Sequence, residues 1–412
     1  MNKTKVVFIL AAAAVLLACE MNKMPLPSPR IANASFGAND TSYVELNPLW
    51  SAEYLGVSLQ APGDLIMGPD GILYLADQGA DRVHAFSKAG VRLTAHGFDQ
   101  ISGVPAPIGL ALDSKLNLLI VNGTSTIYVW NQYLNLTAID SVAHKGVYWE
   151  RTKNDTLHLT LAQFQEQSAS GVDLSLRYYL FEKNDAAAQA ACRVTPLYQA
   201  PEADAQFNGV AAGKHGSNVF YVTESHYDRI YQLRLIPDLV LKGHGRQILY
   251  HYRARLEKVV ASYGSGSGTV DNPWAITTDK DENIYFTQLS GNFKVQKLQA
   301  GSFAPRYVLY QHDIMDLDRF VAPRDVALDG AGNIFVMDAG TGSVSKFGNA
   351  GTAAGALLPL GKKGLAATLF VDGRGLLVSD NVVYVVEQSE KRIRRFQYSV
   401  SDSDLPDDEK KP

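Results

Sequence analysis

The sequence predicts an all-β chain folded as a β-propeller of four-stranded blades. Three observations carry this: a repeated phrase, the period of its repetition, and the strand character of its parts. Two clear copies are PGDLIMGPDGILYLADQGADRVHAF from Pro62 and PRDVALDGAGNIFVMDAGTGSVSKF from Pro323. Each runs as a polar lead-in, an apolar strand, a Gly/Asp/Asn turn, a second apolar strand, a polar turn and an alternating third strand. A three-strand unit cannot bury both of its faces alone, so repetition at a fixed period means stacked sheets sharing a core.

The third strands end at Phe86, Trp130, Phe181, Leu233, Leu298, Phe347 and Phe396, in steps of about 44 to 52 residues with one longer step before Leu298. A propeller blade needs about 40 to 50 residues, so seven blades are expected. Second strands such as Ile72-Leu73-Tyr74-Leu75 and Val382-Val383-Tyr384-Val385-Val386 are rich in β-branched and aromatic residues and almost wholly apolar, as inner strands buried on both faces are. Third strands alternate, as in Ile230-Tyr231-Gln232-Leu233, which suits positions nearer the rim. Hairpin signals lie between first and second strands at Pro69-Asp70-Gly71, Ala331-Gly332-Asn333 and Asp372-Gly373. The third copy, over residues 145–176, keeps the order but loses the turn chemistry; without it the ring has six blades. Only a polar tail follows Phe396, while Ser42-Tyr43-Val44-Glu45-Leu46 has strand character and no partner of its own. This N-terminal strand is expected to complete the last blade and close the ring, leaving no exposed edge.

The stretch SGSGTVDNPWAITTDKDENIYFTQ, residues 265 to 288, resembles the NHL-repeat propellers in its Gly-rich lead-in, its Asn-Pro and its strand–turn–strand order. The resemblance extends over residues 41–398 and implies the fold; such propellers host enzymes, sensors and scaffolds alike. The family is usually six-bladed, so a count of seven departs from it.

The N-terminus reads as a targeting segment. Lys3 and Lys5 precede an apolar run from Val6 to Leu17, too short to span a bilayer. The run ends in Leu16-Leu17-Ala18-Cys19, which resembles the bacterial lipobox. That resemblance implies cleavage after residue 18, lipidation of Cys19, export and a membrane anchor. Glu20 in place of Asp implies the outer membrane. Residues 19–40, with Pro25, Pro27 and Pro29, read as a flexible tether, and 399–412 as a charged disordered tail. The other cysteine, Cys192, has no partner once Cys19 carries lipid, so no internal disulfide is expected. Loss of Lys3 and Lys5 takes the net charge from -4 to -6, which leaves no footprint for nucleic acid.

One long insertion, 235–269, interrupts the repeat. Ile248, Leu249, Tyr252, Leu256, Val259 and Tyr263 recur at three- and four-residue spacing, with Arg246, Arg253, Arg255 and Lys258 between them. That spacing predicts an amphipathic helix of about four turns ending at Gly264, either capping the rim or forming a docking surface.

Catalytic signatures are sparse. There is no HExxH, no CxxC pair and no P-loop, and the Gly264–Gly268 run is neither a nucleophile elbow nor a dinucleotide loop. The remaining signal is positional. Aligned copies place Asp64, Gly109, Gly146, Gly209, Trp274, Asp325 and Thr368 at the inner-strand starts, beside His144, Lys145, Asn208, Asn272 and Arg324. Second strands end in Asp77, Asn122, Glu224, Gln288, Asp338 and Glu387. Side chains at the second set commonly bond turn backbone; the first set would line a shared channel mouth. The candidate ligand-binding residues are therefore Asp64, His144, Asn208, Glu224, Trp274, Arg324 and Asp325. No cofactor is expected. The oxygens of Asp64, Asp325 and Glu224 could take a hard cation such as calcium; His144 is alone, and zinc needs further nitrogen or sulfur ligands. Gluconolactonase-like propellers use a calcium site whose early Glu-Gly-Pro has no counterpart in Pro62-Gly63-Asp64. Peptidyl-amide lyases use several histidines, also missing.

These observations predict a membrane-anchored exported scaffold that binds a protein or glycan partner. The alternative is a calcium-assisted lactonase- or lyase-type enzyme working at the channel mouth.

Overall fold

Three of the hairpins between first and second strands are built on one recurring clamp. Asp113, Asp279 and Asp329 each follow an inner strand. In each, Oδ1 accepts the N–H groups two and four residues on, and Oδ2 accepts the side-chain amide of the asparagine in the fourth position. The residue before that asparagine is left-handed: Leu116 at φ 62°, Glu282 at 65° and Gly332 at 80°. Only glycine takes that conformation without a steric penalty.

The computed structural model describes residues 42–94, 99–132, 134, 139–142, 146–150, 155–159, 177–179, 193–243, 248–299, 302–303, 314–351 and 370–399. It is nearly all β, an antiparallel propeller fold. Six sheets start from the inner strands Pro62–Met67, Gly109–Leu112, Phe207–Ala212, Pro273–Thr278, Pro323–Leu328 and Gly373–Ser379. These strands stand side by side in chain order, and the last lies against the first. Strand Ser42–Glu45 pairs antiparallel with Arg392–Ser399 as the outer strand of the last sheet.

The core is divided among the sheet interfaces. One cluster joins Tyr74, Val83 and Leu110 to Trp130; another joins Leu119 and Val129 to Phe207 and Leu233. Further clusters sit at the next three interfaces. The remaining cluster, with Trp50, Leu65, Phe86, Tyr384 and Ile393, joins the last sheet to the first. Each large side chain fully buried there contributes ~1.5–3 kcal/mol, so the cohesion of the fold lies between the sheets as much as within them.

Two sequence expectations are corrected. Six inner strands, not seven, stand in this succession among the described residues. The third copy forms a small sheet in which Gly146–Glu150 is flanked by Asp155–Leu159 and Arg177–Tyr179. A blade would place its strands in chain order, and this sheet does not. The chain then returns as Thr195–Gln199 to pair with Thr126–Asn131. The third copy is thus an excursion between the third and fourth strands of the second sheet.

The predicted helix in 235–269 is instead a long hairpin of Arg229–Gly243 and Ile248–Ala261, with three register shifts and with Ile139–Val142 on its far end. Tyr250, Tyr252, Ala254 and Leu256 pack on the cluster around Phe207 and Leu233. That is a period of two, alternating with His251, Arg253, Arg255 and Glu257. The same residues satisfied a helical spacing, and the long partner strand selected the extended form.

The tether, the tail and the segment through Cys19 lie outside the described residues, as do Cys192, His144 and Thr368.

Candidate functional site at the axial cavity

All six inner strands line a cavity of about 280 Å³ on the ring axis. Two rings of polar residues approach it on the face where the inner strands begin.

The outer ring is the set of second-strand ends, and it is committed to backbone. Asp77, wholly buried, accepts N–H groups from Gln60 and Ala61, with His84 Nε2 3.3 Å from its Oδ2. Glu224, also wholly buried, accepts N–H groups from Gln206, His226 and Tyr227. Asp338 takes those of Val321, Ala322 and Gly340. Glu387 takes that of Val371 and the Nε–H of Arg392. Each carboxylate therefore holds its sheet's lead-in against the turn that follows the second strand. Glu224, a candidate for the channel mouth, belongs to this set and does not line the cavity.

The inner ring begins at a shared irregularity. In five of the sheets the register shifts just after the first residue of the inner strand, as when two residues oppose one and a side chain is re-aimed. The residue after the shift faces the next blade closely. At Gly209 an added Cβ would collide with the Trp274 carbonyl, and at Gly375 with the Gly63 carbonyl. Asp64 and Asp325 occupy the same register and solve the same approach differently. Asp64 Oδ1 accepts the Leu65 N–H and its Oδ2 the Leu110 N–H of the next sheet, at 2.7 and 2.6 Å. Asp325 does the same with Val326 and Leu376, also at 2.7 and 2.6 Å. Burial pushes Asp64 up to about 6 despite these bonds. Burial, and then the charge of Asp64, raise Asp325 well above the usual carboxylate range.

One residue earlier, four consecutive sheets place Asn208, Trp274, Arg324 and Arg374 on the cavity wall. The Arg324 guanidinium lies 4.6 Å from the Trp274 ring centroid, a cation–π contact. Burial and the neighbouring Arg374 charge lower the Arg324 pKa, and Asp372 opposes them. Arg374 pairs with Asp372 at 2.9 Å. Asn208 donates to Ser225 Oγ at 2.6 Å.

Of the residues singled out from sequence, Asp64, Asn208, Trp274, Arg324 and Asp325 thus line one cavity. Trp274 sits in register with Arg324 rather than with Asp64; the irregularity after Pro273 shifted the alignment by one. Arg374 was missed because Asp372-Gly373 reads as a hairpin. It is instead the entry to the last inner strand, whose own turn is Asp380-Asn381.

Calcium fits this donor set poorly. Both oxygens of Asp64 and of Asp325 hold backbone N–H groups, burial favours their neutral forms, and two guanidiniums share the cavity. Among the described residues no three His, Cys, Asp or Glu side chains are grouped to hold a metal.

No family model matches the chain, and no curated protein matches it. Solved structures similar to this chain include a streptogramin B lyase, 11% identical, with a TM-score of 0.44 over 87% of this chain and 97% of that one. A gluconolactonase from Xanthomonas campestris is 10% identical, with a TM-score of 0.45 over 89% and 99%. The calcium-binding protein regucalcin from Agrobacterium tumefaciens is 10% identical, with a TM-score of 0.43 over 83% and 91%.

Proposed function

We propose that the chain is an exported, lipid-anchored binding module that captures a protein or extracellular polymer of the cell envelope at the ring face where the inner strands begin. The observation that carries this reading is the division of labour on that face. The carboxylates of the outer ring, and Asp64 and Asp325 in the inner one, are bonded to backbone and hold the ring. Asn208, Trp274, Arg324 and Arg374 share one register on the cavity wall, and arginine and tryptophan are the residues that most often anchor binding surfaces. The lipobox-like Leu16–Cys19 string supplies the anchor and the tether its reach.

Affinity capture from the host envelope with the lipidated chain and with Trp274→Ala tests the face. A partner retained by the parent chain and lost by a folded variant is expected; equal retention would overturn the assignment. Cys19→Ser tests the anchor: the variant should move to the soluble fraction, and a variant still bound to the membrane removes the lipid from the reading.

A further inference from the structure

We propose that the axial cavity carries a site for a monoanionic carboxylate, received at its rim by Arg324 and Arg374, and that the ligand is an acidic sugar or a polymer of one. The inference rests on the same face being the recognition surface and names the chemistry it takes.

The charge count argues for an anion. Two guanidiniums line the rim on adjacent inner strands, and one carboxylate, Asp372, pairs with one of them. Arg324 has no hydrogen-bond or ion-pair partner among the described residues; its contact is the Trp274 ring. The two other carboxylates of the cavity, Asp64 and Asp325, have both oxygens turned to backbone N–H groups, and neither pairs with an arginine. The rim is left with one guanidinium, that of Arg324, unpaired among the described residues in a partly desolvated concavity, where field lines concentrate and attraction exceeds that at an open surface. A single carboxylate matches that charge; a phosphate dianion would exceed it. A guanidinium also presents the fork of N–H donors that a carboxylate accepts in two parallel bonds.

The cavity sets the size and orientation. Its ~280 Å³ lies at the small end of ligand pockets, room for one sugar ring rather than for a folded segment. Aliphatic side chains including Ile66, Leu112 and Val378 line it further along the inner strands, so the charged group stays at the rim. Trp274 gives an apolar surface beside the charge, and Asn208 adds an amide, the combination that recognises a hydroxylated ring bearing an acid.

Calorimetry on the full chain in low salt at neutral pH, with glucuronate, glucose and polygalacturonate as probes, tests the proposal. Glucuronate should bind one to one and glucose at least tenfold more weakly. Arg324→Gln should weaken glucuronate by tenfold or more, with Arg324→Lys between the two. The Arg324→Gln variant should unfold at nearly the same denaturant concentration as the parent, because only the cation–π contact with Trp274 is lost and no hydrogen bond or ion pair within the described fold. Tighter binding of polygalacturonate than of glucuronate would place the acid in a polymer, and binding of the monomer alone would make the ligand a free acid; either sustains the site. Equal affinity for glucose and glucuronate, an unchanged affinity in Arg324→Gln, or strong destabilisation by that substitution overturns it. If Arg324→Gln still captures the envelope partner that Trp274→Ala loses, the carboxylate site falls while the binding face stands.

Discussion

Asp64 and Asp77 lie on neighbouring strands of one sheet, near the same end, and both accept backbone N–H groups, yet their pKa values move in opposite directions. For Asp77 burial would favour the neutral acid, but the His84 hydrogen bond and the N–H groups of Ala61 and Gln60 outweigh it and lower the pKa. For Asp64 burial wins over the N–H groups of Leu110 and Leu65 and lifts it to about 6. A carboxylate with a histidine partner and converging N–H donors is stabilised as an anion; one squeezed between two inner strands is not. The first kind holds the ring at its turns. The second joins blade to blade at the axis and leaves the electrostatics of the cavity to the arginines.

The comparison can be broken most severely at Glu224. Glu224→Ala leaves three N–H groups at a buried site without their acceptor, and a loss of about 3 kcal/mol or more in chemical denaturation is expected. A loss under about 1 kcal/mol would show that the outer ring does not hold the lead-ins. Asp77→Asn keeps the shape but removes the charge facing His84; about 2 kcal/mol should be lost at neutral pH, and little at a pH low enough to protonate the parent carboxylate. The sign follows from the lowered pKa: Asp77 adds stability above the ordinary aspartate value, and that stability disappears as pH falls through the folded value.

Asp64 should act in the reverse sense. Its raised folded pKa means that the native state binds more protons than the unfolded chain between about pH 4 and 6. Stability attributable to Asp64 is therefore complete below that window and declines as pH rises through it. Denaturation midpoints across the window should fall in the parent and fall less steeply in Asp64→Asn, where buried Asp325 alone remains; parallel curves would contradict the assignment. The smallest effect belongs to the hairpin clamps. Asp329→Ala removes the same kind of bond as Glu224→Ala, but next to exposed turn residues that water can solvate. About 1 kcal/mol or less should be lost, and a loss equal to that of Glu224→Ala would make solvent exposure irrelevant to the difference.

Much of the ring could be read because its elements are local. The Asp-x-x-x-Asn hairpins, the β-branched second strands and the alternating third strands each follow from short-range sterics and hydrogen bonding. The hairpin at 229–261 shows where such reading stops. Its second strand carries residues that fit a helix by threes and fours and a strand by twos, and a partner strand earlier in the chain decided between them. Of the cavity, Asp64, Asn208, Trp274, Arg324 and Asp325 were visible from their aligned positions at or beside the inner-strand starts. Arg374 was hidden because Asp372-Gly373 has turn composition and its role as a strand entry depends on pairing with Glu387.

What the sequence determined by itself was the all-β repeat, the hairpin chemistry and the strand that begins each unit, since these depend on residues within one turn of one another. The tertiary structure alone decided that six inner strands stand together among the described residues, that the third copy is an excursion within the second sheet, and that two aspartates are raised while two arginines share a rim. Those outcomes depend on which distant strands pair and on how far each charge is withdrawn from water, and neither is a property of any local stretch of chain.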